Sequence, residues 1–226
     1  MSRRLLCVVA HPDDETLMAG GMIAKWAGYG REVLVISLAD GVSSRDSSMV
    51  TGSEQLQQAF KARQDDALQA ATILGCSIRC FGASDNAMDT YPLIYFVRNV
   101  ESIIAEFDPS LVVTHFSGDL NIDHQIVSRA VMTACRPLPG SSVKRILMGE
   151  CPSSTEWGAG GFTPNWFEDV SETFERKLGA MSCYQTELRE YPHPRSLEAI
   201  RALAMYRGAS CGVPLAEAFM LARSVS

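Results

Sequence analysis

The sequence predicts an α/β fold in which one mostly parallel β-sheet is flanked by helices. A short apolar run, Leu5-Leu6-Cys7-Val8-Val9-Ala10, is typical of a strand buried on both faces of a parallel sheet. A helical pattern and a second apolar run follow it at the length of a strand, helix and strand crossover unit. No repeat, low-complexity tract or linker divides the chain, so we expect one domain over residues 1–226.

Strands and helices alternate along the chain. The first strand leads into a helix over residues 15–28, which ends at Gly28-Tyr29-Gly30. Residues 33–38 form the second strand, and the loop over residues 40–53 lies where such folds bind their ligands. The later predicted elements are a helix over 54–74, a strand over 78–81, a helix over 93–107, a strand over 111–115, a helix over 125–135, a loop over 151–166, a strand over 167–170, and helices over 171–184 and 197–206.

Composition excludes several classes of function. The formal net charge of −6 disfavours nucleic acid as a partner. No apolar stretch approaches the roughly 20 residues of a membrane-spanning helix, and no targeting segment precedes the first strand. The seven cysteines are scattered, without a Cys-x-x-Cys pair, which indicates reduced thiols. We therefore expect a soluble cytoplasmic protein without a cysteine nucleophile.

Histidines and aspartates predict a metal site. His11 and Asp14 are three residues apart at the end of the first strand, where a tight turn aims both side chains at one point. His124 follows the fourth strand and supplies a third ligand from a distant position. Catalytic zinc sites commonly have three such ligands and leave a fourth position to water. The pattern predicts a hydrolytic site for zinc or another divalent transition metal.

A base and a donor complete the predicted chemistry. Asp13, next to the ligand Asp14, is the candidate for taking a proton from the attacking water. The departing amine and the developing oxyanion need donors. His193, within Tyr191-Pro192-His193-Pro194-Arg195, is one candidate.

The same residues have structural interpretations. Asp residues of His-Pro-Asp-Asp, and Asp123 before the next helix, are good helix caps. Glu15 is expected to orient His11 or to cap the helix. For His115 at the end of a buried strand the structural interpretation is favoured, and the prolines around His193 can simply stiffen a loop.

The chain resembles the PIG-L (LmbE-like) family of zinc-dependent N-deacetylases. The resemblance covers Ala10-His11-Pro12-Asp13-Asp14-Glu15, Arg63-Gln64-Asp65-Asp66-Ala67 with Ile73-Leu74-Gly75, residues 119–124, and residues 212–223 with Ala216-Glu217-Ala218-Phe219. It implies a Rossmann-like domain in which His11, Asp14 and His124 hold zinc and Asp13 is the general base. It also implies that the substrate is an N-acetylated amino sugar, free or conjugated.

One position departs from the family pattern. Many members carry a histidine where this chain has Asn121, which can donate a hydrogen bond to an oxyanion but cannot shuttle a proton at neutral pH. His193 is the candidate replacement. The resemblance implies that Asp123 orients a catalytic group or His124, and that Arg63 lies near the substrate, unless it forms a helix-surface salt bridge.

The form Gly118-Asp119-Leu120-Asn121-Ile122-Asp123-His124 resembles a subset related to chitobiose deacetylases and surface-sugar enzymes. In some relatives a C-terminal histidine reaches a neighbouring subunit's site, so a homo-oligomer with shared sites is expected, and His193 acts either within its chain or across subunits. Two rival functions stay open at this point. One is an amidase for a larger acyl or thiol conjugate, and the other is a non-catalytic sugar- or nucleotide-binding protein, disfavoured because no Gly-x-Gly-x-x-Gly follows the first strand.

Overall fold

The computed structural model describes residues 4–45 and 53–225. In those ranges the elements are β1 (Leu5–Val9), α1 (Asp14–Gly28), β2 (Val33–Ala39), α2 (Glu54–Leu74), β3 (Ser77–Ala83), α3 (Leu93–Phe107), β4 (Leu111–His115), α4 (Ile122–Ala134), β5 (Arg145–Gly149), β6 (Trp166–Asp169), α5 (Phe174–Met181), α6 (Leu197–Cys211) and β7 (Ala216–Ser224). Short 3-10 helices span Met88–Thr90 and Thr155–Trp157.

The strands form one seven-stranded sheet in the order β3-β2-β1-β4-β5-β7-β6. The first five strands of the chain pair in parallel, whereas β7 is antiparallel to both β5 and β6. The chain builds outward from β1 to β2 and β3 on one side, then to β4 and β5 on the other. The switch point therefore lies at β1 and β4, and open α/β sheets bind ligands outside the carboxyl ends of the strands at such a point.

Both faces of the central strands are buried. Leu5, Cys7 and Val9 contribute to a core with residues of α1, α2, α5 and α6. Leu6 and Val8 point the other way, into a core with residues of α3 and α4. Successive side chains of a strand point to opposite faces, so helices on both faces require a continuous apolar run. The sequence of β1 meets that requirement.

Helix α1 is interrupted at Ala19, whose φ of −140° and ψ of 15° are not helical. The carboxylate of Glu217 accepts hydrogen bonds from the backbone N–H groups of residues 21 and 22, both at 2.8 Å. The buried ammonium of Lys177 donates to the Leu17 carbonyl at 2.8 Å and to Glu217 at 2.6 Å. An ion pair from α5 and β7 thus supplies partners for backbone groups that the interruption frees.

The predicted fold class is confirmed, and most predicted elements are present near their expected bounds. Helix α4 begins earlier than predicted, so that His124 lies in its first turn, and α5 is shorter than the helix predicted over residues 171–184. The sequence pattern predicted no element at the residues of β5 or β7. In the predicted loop over residues 40–53, residues 46–52 lie outside the described part of the chain. Across the two described ranges, none of the helices combines the length and apolarity needed to cross a membrane.

Candidate metal and active site

The candidate site lies where the parallel strands end. His11 follows β1, Asp85 follows β3, and α4 begins seven residues beyond the end of β4. Helices α1 and α4 both start here, and the N-terminus of a helix carries a partial positive charge that favours acidic side chains. Strand ends and helix starts therefore collect side chains that are far apart in the sequence.

The three predicted metal ligands lie together. His11, Asp14 and His124 each offer one ligand atom, and these atoms lie within 4.8 Å of one another. The Asp14 Oδ2 atom is 3.2 Å from His11 Nδ1 and 3.3 Å from His124 Nε2. All three side chains are buried. The carboxylate of Asp14 thus stands between two imidazoles.

The donor set fits a divalent cation. Both ring nitrogens of His124 are buried and lack a hydrogen-bond partner among the described residues, although carboxylate oxygens of Asp14 and Asp119 lie 3.3 and 3.2 Å away. Burial disfavours the charged form of His124, but these two carboxylates outweigh burial and raise its pKa to about 9. The surroundings therefore favour positive charge at this point, and two imidazoles with one carboxylate match catalytic zinc sites.

Two further carboxylates face the other side of His11. Asp85 Oδ1 lies 2.9 Å and Asp123 Oδ2 lies 3.1 Å from His11 Nε2, and these three residues form a second group of potential ligands. Burial raises the pKa of the Asp85 carboxyl, but the hydrogen bond and charge of His11 outweigh it and lower that pKa to about 2. Carboxylates beside a metal-binding imidazole fix its orientation and raise its basicity.

Asp123 contacts His11 rather than His124. Its Oδ2 also accepts a hydrogen bond from the Asn86 backbone N–H at 2.7 Å, and its Oδ1 accepts one from Met88 N–H at 3.1 Å. The carboxylate beside His124 Nδ1 is Asp119, at 3.2 Å. Of the alternatives that the resemblance implied for Asp123, this geometry favours orientation of His11.

Asn121 is the N-cap of α4. Its Oδ1 accepts a hydrogen bond from the Asp123 backbone N–H at 2.8 Å, and its Nδ2 donates to Asn86 Oδ1 at 3.5 Å. The amide therefore has a structural role, and its weakly bonded Nδ2 is the group left to face a substrate. Asn121 lines the cavity described below.

Asp13, the predicted base, is held through both its backbone and its carboxylate. Its backbone has φ of 137°, a region that non-glycine residues rarely adopt, and its N–H donates to Glu15 Oε2 at 3.0 Å. Arg195 Nη1 donates to Asp13 Oδ2 at 3.0 Å. Burial raises the pKa of the Asp13 carboxyl to about 7, against the charge of Arg195, while Asp14 acts in the same direction as burial. An aspartate with such a pKa suits proton transfer near neutral pH.

A cavity of about 360 Å³ opens onto these groups, and its lining includes His11, Asp13, Arg195 and His193. His193 therefore lies at the cavity of its own chain. Its Nδ1 accepts a hydrogen bond from the Arg195 backbone N–H at 3.0 Å, and its ring meets Trp157 edge-on at 5.8 Å. Modest burial and the nearby arginines lower the pKa of His193. Because Nδ1 accepts a hydrogen bond, it carries no proton, so the imidazole is neutral in this arrangement and its proton is on Nε2.

Arg63 does not line this cavity. It is buried, and its guanidinium donates to the Pro12 carbonyl at 3.2 Å, to Thr186 and to Glu187. Glu187 in turn pairs with Arg45 at 2.6 Å and with Arg195 at 2.8 Å. Arg63 thus supports the turn that carries Asp13. Of the three arginines that line the cavity, Arg195 is the one that pairs with Asp13 in the described part of the chain.

Several side chains at the site were not predicted. Arg195 stood in the segment already singled out for His193, and Asp85 follows a predicted strand, so both positions offered a usable signal. Nothing in the sequence marked Glu187, or Cys151, whose buried Sγ donates to Asp14 Oδ1 at 3.2 Å. His115 stacks on His124 with ring centroids 3.9 Å apart and accepts a hydrogen bond from Ala10 N–H at 2.9 Å, a structural role as favoured above.

Residues 6–135, more than half of the chain, match the family described as PIG-L, GlcNAc-PI de-N-acetylase. The chain belongs to this family. The matched residues include the turn after β1 and the start of α4, which hold the three candidate ligands.

Proteins similar to this chain differ in activity. The chain is 26% identical over 190 residues to a probable N-acetyl-alpha-D-glucosaminyl L-malate deacetylase 2 of Bacillus cereus, covering 83% of this chain and 84% of the relative. It is 27% identical over 201 residues to a 4-oxalmesaconate hydratase of Pseudomonas putida, covering 82% and 75%. Among solved structures, an N,N'-diacetylchitobiose deacetylase from Pyrococcus horikoshii superposes with a TM-score of 0.77 at 20% identity, covering 98% of this chain and 84% of that one. That likeness shows the shared fold.

Proposed function

We propose that this chain is a zinc-dependent hydrolase that removes the acetyl group from an N-acetylated amino sugar or sugar conjugate. The observation that supports this most is the position of Asp13 at the cavity, directly beside a buried His11, Asp14 and His124 group. The family and the deacetylase relatives support sugar N-deacetylation as the reaction.

The charge and position of each side chain suggest its role in the proposed reaction. A bound divalent cation supplies Lewis-acid chemistry, which polarises an acetyl carbonyl and makes the attacking water more acidic. His11, Asp14 and His124 would hold it, while Asp85 and Asp123 fix the His11 ring. Asp13 takes a proton from the water as it attacks the carbonyl carbon, and it returns that proton to the nitrogen when the C–N bond breaks.

His193 and Asn121 are the proposed donors from the cavity wall. The neutral imidazole of His193 offers its Nε2–H, because Nδ1 is already an acceptor for Arg195 N–H. Asn121 offers its Nδ2. We propose that these groups contact the departing amine, the acetyl oxygen or neighbouring sugar hydroxyls, and that Arg63 acts indirectly by supporting the Pro12 turn.

A polar cavity favours a hydrophilic substrate. Arginine, asparagine, serine and carboxylate side chains line it, together with His11 and His193. Such groups suit the hydroxyls of a sugar better than an apolar acyl chain, which supports removal of a small acetyl group over removal of a larger acyl group. One relative is a hydratase, so addition of water to an unsaturated acid must be tested together with acetate release.

The experiment is a panel of N-acetylated amino sugars and their conjugates, incubated with zinc-loaded protein and scored for released acetate. Asp13→Asn is the matched variant, because it keeps the shape of the side chain and removes its basicity. We expect at least one substrate to yield equal amounts of acetate and free amine, and Asp13→Asn to lose about 10²-fold or more in kcat with its metal retained.

Three results would contradict the proposal. An Asp13→Asn variant with its metal and full turnover excludes Asp13 as the base. If no sugar in the panel releases acetate and the protein hydrates an unsaturated acid, the result favours hydratase activity. Binding of a sugar without turnover favours a non-catalytic binding protein.

A further inference from the structure

Arg195 has a donor that no residue in the described part of the chain uses. Its Nε donates to Ser153 Oγ at 2.7 Å, and its Nη1 donates to Asp13 at 3.0 Å and to Glu187 at 2.8 Å. Among the described residues, Nη2 has no hydrogen-bond partner. The side chain is only 16% exposed, and it lines the cavity that contains His11 and Asp13.

The charge of Arg195 is fixed while that of its partner changes during the proposed reaction. Arginine stays protonated at any working pH. Asp13 becomes neutral when it takes the water proton, and in the same step the electron pair of the acetyl C=O bond moves onto oxygen. A negative charge therefore leaves one neighbour of the guanidinium and forms on the substrate. The cation that balanced Asp13 is then available to balance the oxyanion.

The other candidate donors are less suited to this charge. Asn121 uses its Oδ1 as a helix cap, and its neutral Nδ2 faces Asn86. His193 is neutral in this arrangement for the reasons given above. Arg63 does not line the cavity and donates to Pro12 and Glu187. Arg45 and Arg189 also line it, but Arg45 pairs with Glu187, and Arg189 donates to backbone carbonyls of residues 186 and 188. Arg195 is the arginine that, among the described residues, pairs with Asp13.

We infer that Arg195 is a catalytic residue that stabilises the oxyanion and then holds the carboxylate of the acetate product. This inference rests on the proposed function. Water loses one proton to Asp13, and its oxygen bonds to the acetyl carbon. The C–N bond then breaks, and the nitrogen takes the proton from Asp13. The second water proton passes to the amine or the solvent, so acetate leaves as an anion beside the guanidinium.

The test measures acetate binding as well as turnover. Zinc-loaded parent, Arg195→Gln and Arg195→Lys are compared by calorimetric titration with sodium acetate, after their metal content has been matched. We expect the acetate Kd of Arg195→Gln to rise about tenfold or more, because a charged hydrogen bond is lost. Arg195→Lys keeps the charge but lacks the planar guanidinium. We expect its acetate Kd to lie between that of the parent and that of Arg195→Gln. Arg207→Gln is the control, since Arg207 pairs with Glu150 outside this cavity and its loss should leave the acetate Kd unchanged.

Turnover provides the second readout. For Arg195→Gln we expect kcat to fall about 10²-fold, with a smaller change in KM, and added guanidinium to restore part of the lost kcat. If Arg195→Gln does not fold, Arg195→Lys carries the test through its intermediate acetate Kd. Acetate affinity and kcat within twofold of the parent in both variants would overturn the inference. Parent protein that binds acetate through Arg195 but releases none from any substrate would instead count against the proposed function alone.

Discussion

Glu15 links the candidate base to the protein interior. Its Oε2 accepts the Asp13 backbone N–H, while its Oε1 accepts hydrogen bonds from Tyr184 at 2.7 Å and from Thr16 at 2.8 Å. Asp13 has a positive φ, a conformation that persists only where its surroundings hold it. The Tyr184 hydroxyl therefore helps to fix the backbone that aims the Asp13 carboxylate.

Tyr184→Phe removes that hydroxyl and keeps the buried ring. We expect the free energy of unfolding to fall by about 2 kcal/mol, because a hydrogen bond to a charged group is lost. We also expect kcat to fall about tenfold with KM and bound metal unchanged, because the Asp13 carboxylate is then held less firmly. A tenfold fall in rate corresponds to about 1.4 kcal/mol in activation free energy. Denaturant unfolding and steady-state kinetics measure these effects. Tyr29→Phe, at an exposed ring beyond the far end of α1, should change neither.

His193→Ala tests the donor on the cavity wall. We expect kcat to fall about 10²-fold with the metal retained, the size of a typical acid–base contribution. His193→Gln separates two roles, because glutamine can donate a hydrogen bond but cannot transfer a proton at neutral pH. Recovery of activity in His193→Gln indicates hydrogen bonding, and failure to recover indicates proton transfer. Parent-like kcat in His193→Ala would remove the residue from the mechanism.

At the residue scale the sequence predicts what is local or chemically rare. His11, Asp13 and Asp14 share one turn, and His124 was one of only four histidines in the chain. Which carboxylate meets which imidazole depends on how loops fold over one another, so the pairs of Asp123 with His11 and of Asp119 with His124 emerge only from the structure. Arginine and glutamate are common on surfaces, which is why Arg195 and Glu187 did not stand out.

At the scale of the elements, helix α1 depends on an ion pair from outside itself. Lys177 of α5 and Glu217 of β7 have side chains that are only 5% and 3% exposed, and both contact the backbone near the interruption at Ala19. Because the first turn of α1 carries Asp14, this pair connects the geometry of the site to two distant elements.

Glu217→Gln should destabilise the protein by about 3 kcal/mol, because it leaves the Lys177 ammonium buried without its counter-charge. Glu175→Gln on the same α5 is the matched control. Its partner is Arg201, and the two side chains are 75% and 42% exposed, so we expect a loss below about 1 kcal/mol. Chemical denaturation of both variants measures the difference, and equal losses would contradict the role assigned to the buried pair.

The elements that the sequence predicts best are those with a strong periodic or apolar signal. Strands β1, β2 and β4 consist mostly of apolar residues, and every residue in them is buried. Strand β7 begins with Ala216-Glu217-Ala218, residues with weak β preference, and it is a strand because it lies between β5 and β6. The five-residue β5 is too short for its period to distinguish a strand from a helix.

At the scale of the whole molecule, the sheet order explains why the site forms. The switch between β1 and β4 brings residues near position 11 to residues near position 124. The alternation of strands and helices predicted the parallel sheet in which this happens, and the sheet is confirmed. The described structure contains one chain, so the homo-oligomer stays a prediction. Light scattering, which measures the molar mass in solution, would test it.

The most direct measurement of the central claim is acetate release with and without metal. Purified chain is assayed on its best N-acetylated sugar, stripped with a chelator, assayed again, and then titrated with zinc. We predict that release stops on stripping and returns as zinc reaches one equivalent per chain, with His124→Ala failing to recover at that concentration. Acetate release that continues at the original rate after the metal has been fully removed would contradict the claim.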